Sequence, residues 1–184
     1  MTFFRSLPGD AGPANVFSQH PEIYRAWSTM SEALMNGPSP LSPGERELVL
    51  AYAAAVAGCQ FVRVAHSEVA YARGFPRGTV EQLMENPETA SVEARLKPLL
   101  AYARKLMLTP GEITQADADA VFAAGWDERA LHDAIAVTAR AAFMQRLVEG
   151  HGFVPMSRDK AAERAAHRVK LGYVDLYPAF RQQA

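Results

Sequence analysis

Residues 41–66, LSPGERELVLAYAAAVAGCQFVRVAH, decide the fold. Ser42-Pro43-Gly44-Glu45 is a capping box with proline at the first helical position, so the serine oxygen and the glutamate carboxylate can satisfy each other's backbone N–H groups. This signal predicts a helix from residue 42 to about residue 57, through a run in which alanine and leucine favour helix. Gly58 breaks the run. A further helix then carries Val62, Ala65, Val69 and Ala72 at three- and four-residue steps until Gly74-Phe75-Pro76 ends it. Two helices joined by so short a break form an antiparallel hairpin over residues 42 to 73, and both are apolar on more than one face.

The rest of the chain has the same habit. From Pro21, Ile23, Trp27, Met30 and Leu34 form a helical stripe that Asn36-Gly37 stops. Later helices are predicted over 79 to 85, from Pro98 through Leu106, over 114 to 124, from Asp127 to Gly150, and from Ser157 to about Leu171. No stretch alternates apolar and polar residues, and β-branched residues are sparse beside alanine, so a sheet has nothing to be made from. The expected class is all-α. Residues 1–20, with Pro8, Gly9, Gly12 and Pro13, read as an extended arm that docks through Phe3, Phe4 and Phe17; residues 21–172 form a single helical domain, and 173–184 an irregular tail.

Charge excludes several partners. The 184 residues hold 19 Lys+Arg against 20 Asp+Glu, interspersed, for a formal charge of -1, which sets up no broad field for a polyphosphate; no nucleic acid partner is expected. The longest nearly unbroken apolar run, residues 48–57, is far below the roughly 18 residues of a membrane span, and the first residues lack a basic segment followed by an apolar one, so the expectation is a cytoplasmic protein without a membrane partner. A single cysteine, Cys59, cannot form an internal disulfide. His20, His132, His151 and His167 have no ligand-spaced companions, and no metal or cofactor is expected. Trp27 and Tyr52 are most simply core or pocket rim, and Arg164, Arg168 and Lys170 read as a solvated face.

The candidate chemistry is Glu47, Cys59 and His66, polar or reactive groups in the most alanine-rich part of the chain. At 1.5 Å per residue, Glu47 lies about 16 Å and His66 about 12 Å from the hairpin apex, so the two face each other within roughly one turn. A carboxylate can then orient an imidazole. Positions 59, 62 and 66 share one helix face with Val62 in the middle, and Cys59 lies about 10.5 Å in rise from His66, too far for a direct sulfur-to-imidazole bond. A position just after a helix break does, however, lie near free N–H groups that stabilise a thiolate.

Glu47, eleven residues, Cys59-Gln60-Phe61-Val62, three residues and His66 together resemble the signature of the alkylhydroperoxidase D (AhpD) and carboxymuconolactone decarboxylase superfamily, which is Glu, eleven residues, Cys-x-x-Cys, three residues, His. The likeness runs on through AYARKL, AAGWDERALHDAI and FMQRLVEGHGF, is similar to the "peroxidase-related" branch, and covers residues 20 to 155. It implies an oligomeric AhpD-like helical domain. In the redox members the second cysteine attacks peroxide and the first resolves it; the first maps to Cys59, the second to Val62.

Three functions follow. One is thiol-dependent peroxide chemistry through Cys59 alone, with Glu47 and His66 as proton relay and an external thiol as reductant. Another is cofactor-free acid/base chemistry of the carboxymuconolactone decarboxylase kind, in which Glu47-oriented His66 moves a proton on a small carboxylate or lactone. The last is a non-catalytic binding or assembly protein. The hairpin's apolar faces and the resemblance both lead to a homodimer or higher homo-oligomer. Light scattering at micromolar protein should therefore return at least twice the mass of one chain, and a monomer refutes the expectation.

Overall fold

The computed structural model describes residues 2–181, which form α1 (Pro13–Gln19), α2 (Pro21–Asn36), α3 (Pro43–Val56), α4 (Gln60–Ala72), α5 (Thr79–Glu85), α6 (Leu96–Leu108), α7 (Gln115–Ala123), α8 (Glu128–Gly150) and α9 (Arg158–Leu171). Two 3-10 turns, Pro110–Glu112 and Pro178–Phe180, complete the regular structure, and no strand occurs among the described residues. The all-α expectation holds, with most helix ends within two residues of their predicted places.

The hairpin α3–α4 is the centre. Ser42 Oγ accepts from Glu45 N at 3.2 Å and Glu45 Oε2 accepts from Ser42 N at 2.6 Å, the reciprocal cap its sequence predicts. Gly58 closes the far end at φ +75, a left-handed conformation that favours glycine; its N–H donates to Ala55 O and that of Cys59 to Ala54 O, which reverses the chain directly into α4. Around α3 pack α4, α5, α6 and α8, so residues Gly44 to Ala55 are all buried and the helix has no solvent face. Each fully buried Leu or Val there contributes about 1.5–3 kcal/mol. Arg46, 2% exposed, donates from Nη1 to Leu34 O and Gly37 O and so ties down the carbonyl end of α2. Against the other side of α4 lies α9, which approaches through the small residues Ala161 and Ala165.

Three expectations are corrected. The arm of residues 1–20 is not wholly extended: Pro13 at the first helical position and Asn15 reaching back to Gly12 N start α1, and Phe17 stacks on Tyr24 with ring centres 4.3 Å apart. Seven residues are too few to show a helical period. Phe17 is buried, whereas Phe3 is exposed and Phe4 lies flat on His151. The tail is not an appendage either, because Tyr173, Tyr177 and Phe180 are buried in the core that also holds Phe17; residues 182–184, like Met1, lie outside the described residues. On α2 the buried face is Tyr24, Ser28, Ser31 and Met35, while Ile23 and Met30 of the predicted stripe face outward. The inner face of α2 borders a cavity with a polar end, so serine sits where periodicity leads one to expect aliphatics. No helix of the described residues is long and apolar enough to cross a membrane.

The cap at Ser42 orders the helix on which everything packs. Ser42→Ala should lower the urea unfolding free energy by about 1 kcal/mol, and an unchanged midpoint would show that the reciprocal bond contributes nothing.

Candidate functional site

Glu47 lies on the first turns of α3 with no exposed surface, and His66, on the middle of α4, is 4% exposed. Antiparallel packing sets His66 Nδ1 2.7 Å from Glu47 Oε2. The other carboxylate oxygen, Oε1, accepts from the Tyr173 hydroxyl, brought in by the chain that follows α9. Over the face of the imidazole, between it and the parallel ring of Tyr173, Arg168 Nη1 lies 3.0 Å from Nε2 and 3.5 Å from Nδ1. A carboxylate can only accept, so Nδ1 carries the proton that Glu47 takes and the neutral ring keeps its lone pair on Nε2; the tautomer is assigned by this partner.

Electrostatics agrees with that assignment. Burial by itself raises the pKa of Glu47, but the charge and hydrogen bond of His66, the Arg168 charge and the Tyr173 hydroxyl outweigh it and hold the carboxyl down to about 2. For His66 burial is the largest influence and Arg168 and Arg140 add to it, so that despite Glu47 the imidazole is held down to about 4. Near neutral pH the dyad is thus a carboxylate and a neutral imidazole. Burial also raises Tyr173, which stays a phenol.

His66 forms part of the wall of a cavity of about 370 Å³ between the N-terminal segment, α2, α4, α8 and α9. Trp27, Phe61, Val62, Val69, Met144 and Tyr177 give it an apolar body. Its polar end holds Ser28, Ser31, Arg140 and Arg168 beside the imidazole. Trp27 is thus a rim residue, whereas Tyr52 is core.

Cys59 is elsewhere. It is 1% exposed and does not line the cavity, because Val62, one turn on, fills the wall between it and His66. Burial pushes its thiol up to about 11; the N–H groups of Val62 and Phe61 at the start of α4 pull the other way, and Glu149 pushes up again. The helix-start effect expected to favour a thiolate is present but outweighed by desolvation. Of the three predicted site residues, Glu47 and His66 are brought together and Cys59 is kept apart.

Sequence reasoning missed Arg140, Arg168 and Tyr173. Arg168, expected on a solvated face, is half-buried with its head on His66, since it shares the inward face of α9 with Ala161 and Ala165. Arg140 is 5% exposed among Val137, Ala141 and Met144 on α8. Both carried a readable signal: a lone cation at helical spacing from small or apolar residues that pack inward. Tyr173 had none, because it follows a helix end. Among the described residues no group of three His, Cys, Asp or Glu side chains could hold a metal ion.

A buried neutral imidazole makes acid destabilising. His66 is held at about 4 in the folded chain against 6.5 when unperturbed, so between those values the unfolded state binds more protons and stability falls as pH drops. The full effect is on the order of 3 kcal/mol. Urea unfolding should show this decline from pH 6.5 to 4, with a shallower one in His66→Gln; equal slopes would show that His66 is not held neutral.

The model of the carboxymuconolactone decarboxylase family matches residues 21–105. No curated protein matches the chain. An uncharacterized peroxidase-related protein from Silicibacter sp. TM1040 is similar in structure at a TM-score of 0.73 with 25% sequence identity, covering 78% of this chain and 75% of that one. A structure described as an alkylhydroperoxidase AhpD core, an uncharacterized peroxidase-related protein from Ralstonia eutropha JMP134, shares the fold at a TM-score of 0.73 with 24% identity, covering 80% of this chain and 76% of that one. Arg140, Arg168 and Tyr173 lie outside the segment that the family model matches. The segment that carries Glu47, Cys59 and His66 thus matches the carboxymuconolactone decarboxylase family model, and the helical frame is shared with structures described as peroxidase-related and as an AhpD core.

Proposed function

We propose that this protein is a cofactor-free acid/base enzyme acting on a small carboxylate or lactone, with His66 as the proton carrier and Glu47 as its orienting partner. The observation that carries the reading is the 2.7 Å bond between Glu47 and His66 Nδ1, made at the wall of a cavity that Cys59 does not reach. Held in the Nδ1–H tautomer, His66 keeps its Nε2 lone pair turned away from Glu47, at the cavity wall and with Arg168 over the ring face. Nε2 takes a proton from a substrate carbon beside a carbonyl, and the imidazolium that forms is stabilised by the Glu47 carboxylate already in place. The same proton is then returned to another substrate atom, so no oxidant or reductant enters. Tyr173 holds the carboxylate's second oxygen and keeps Glu47 from turning away.

Thiol-dependent peroxide chemistry through Cys59 receives less support from its surroundings. Only a thiolate attacks peroxide, and a buried thiol pushed up to about 11 is almost wholly protonated near neutral pH. Position 62, next to His66 on the cavity wall, is valine and offers no nucleophile.

Deuterium exchange at carbons adjacent to carbonyls, followed by NMR across a panel of small lactones and carboxylates, tests the reading. Glu47→Gln and His66→Gln should each lower exchange by roughly a hundredfold or more, and Cys59→Ser should leave it unchanged. Exchange that survives His66→Gln, or peroxide turnover that disappears in Cys59→Ser, would overturn it.

A further inference from the structure

The polar end of the cavity has too many donors for its acceptors. Arg140 is 5% exposed; its Nε donates to Ser31 Oγ at 3.1 Å, and its Nη1 has no hydrogen-bond partner among the described residues. Ser28, 1% exposed and one turn before Ser31 on α2, has an equally unpartnered hydroxyl. Both side chains line the cavity. A buried donor left unpaired costs about 1–3 kcal/mol, more when charged, so two such groups at the end of one cavity point to something that binds there.

The charges say what. The guanidinium carbons of Arg140 and Arg168 lie 4.6 and 5.0 Å from the centre of the same Tyr173 ring. Glu47 is the carboxylate that acts on both, and it is already spent on His66 and Tyr173. With the imidazole neutral, two guanidiniums stand against one carboxylate. At the cavity wall Lys160 and Arg164 add positive charge and Asp10 is the acidic residue among the lining groups.

The two arginines are not held alike. Arg140 is fixed by Ser31 and lies over Trp27 as well as Tyr173. Arg168 reaches in from the outer helix α9, is half-buried, and places its Nη1 on a neutral imidazole nitrogen. A carboxylate offers the guanidinium a full opposite charge where the neutral imidazole offers only a dipole, so an incoming carboxylate competes well for Arg168.

We propose that the polar end of the cavity is the seat of the substrate's carboxylate, held by Arg140 and Ser28, and that Arg168 is a movable cation which this carboxylate draws off the face of His66. The inference rests on the acid/base reading and deepens it. An anion is recognised by the same arginine whose charge suppresses the base, so a molecule without a carboxylate leaves His66 weakly basic. The remainder of the substrate lies along Trp27, Phe61 and Met144, which suit an apolar or aromatic body.

The test needs no turnover. 3-Phenylpropionate and its neutral isostere 3-phenylpropanamide are titrated into the full chain by calorimetry at pH 7, and His66 is titrated by NMR with and without each. The acid should bind roughly tenfold or more tighter than the amide. Arg168→Gln should reduce that preference severalfold while leaving the amide's affinity unchanged, and Arg140→Lys should keep part of it. His66 should titrate at higher pH in Arg168→Gln, and in the wild type saturated with the acid, than in the unliganded wild type. Arg168→Lys should restore the low value, which a merely structural role for Arg168 would not do. Equal affinities for acid and amide, or an Arg168→Gln chain with unchanged acid binding and unchanged His66 titration, would overturn the proposal. Acid-selective binding without any proton exchange would sink the acid/base reading alone, and exchange on neutral lactones without acid-selective binding would sink the anion seat alone.

Discussion

Glu47 is a carboxylate on a helix with no solvent face, and its charge has to be met entirely by protein groups. His66 meets it from α4, the Tyr173 hydroxyl from beyond α9, and Arg168 from α9 across the imidazole. Groups from α4 and from the end of α9 and the residues after it, about a hundred residues apart in the chain, therefore converge on one ion. Were α9 and the following residues to come away, Glu47 would lose the Tyr173 hydroxyl and the Arg168 charge at once. That requirement joins the fold to the site: the apolar contacts of α3 build the core, and the need to satisfy Glu47 selects how the last helix docks on it.

The same constraint separates the two chemistries the signature could serve. Both need a carboxylate-oriented imidazole, and that part is in place. A thiol cycle also needs a sulfur within reach of His66 and a way to ionise it. Cys59 caps α4 two turns from His66, with Val62 between them and Glu149 at its side, so geometry and electrostatics both oppose a thiolate. The cavity instead places cations next to the imidazole, where they lower its basicity while empty of anion and would favour a bound carboxylate. A base suppressed by neighbouring cations suits a substrate that neutralises them on arrival.

The structural neighbours share the helical frame, and the family match ends at residue 105. The groups that face the dyad from beyond that point are Arg140 of α8, Arg168 of α9 and Tyr173 after it.

Read on its own, the amino-acid order was enough to place most helices, because their ends are local events: Ser42 with Glu45, Gly58, Asn36-Gly37 and Asp127 act through neighbours a few residues away. It was also enough to set Glu47 opposite His66, since helical rise and a tight reversal leave no other register. Tertiary structure alone decided the rest. Ser28 and Ser31 turn inward on α2, against its apolar stripe, because a cavity and Arg140 lie on that side. Arg168 points into the protein because Ala161 and Ala165 let α9 approach α4 closely. The Cys59 thiol is pushed up from its ordinary pKa because the protein around it removes water. In each case the cause is a partner distant in sequence, and a local pattern of residues has no means of encoding which distant group will arrive.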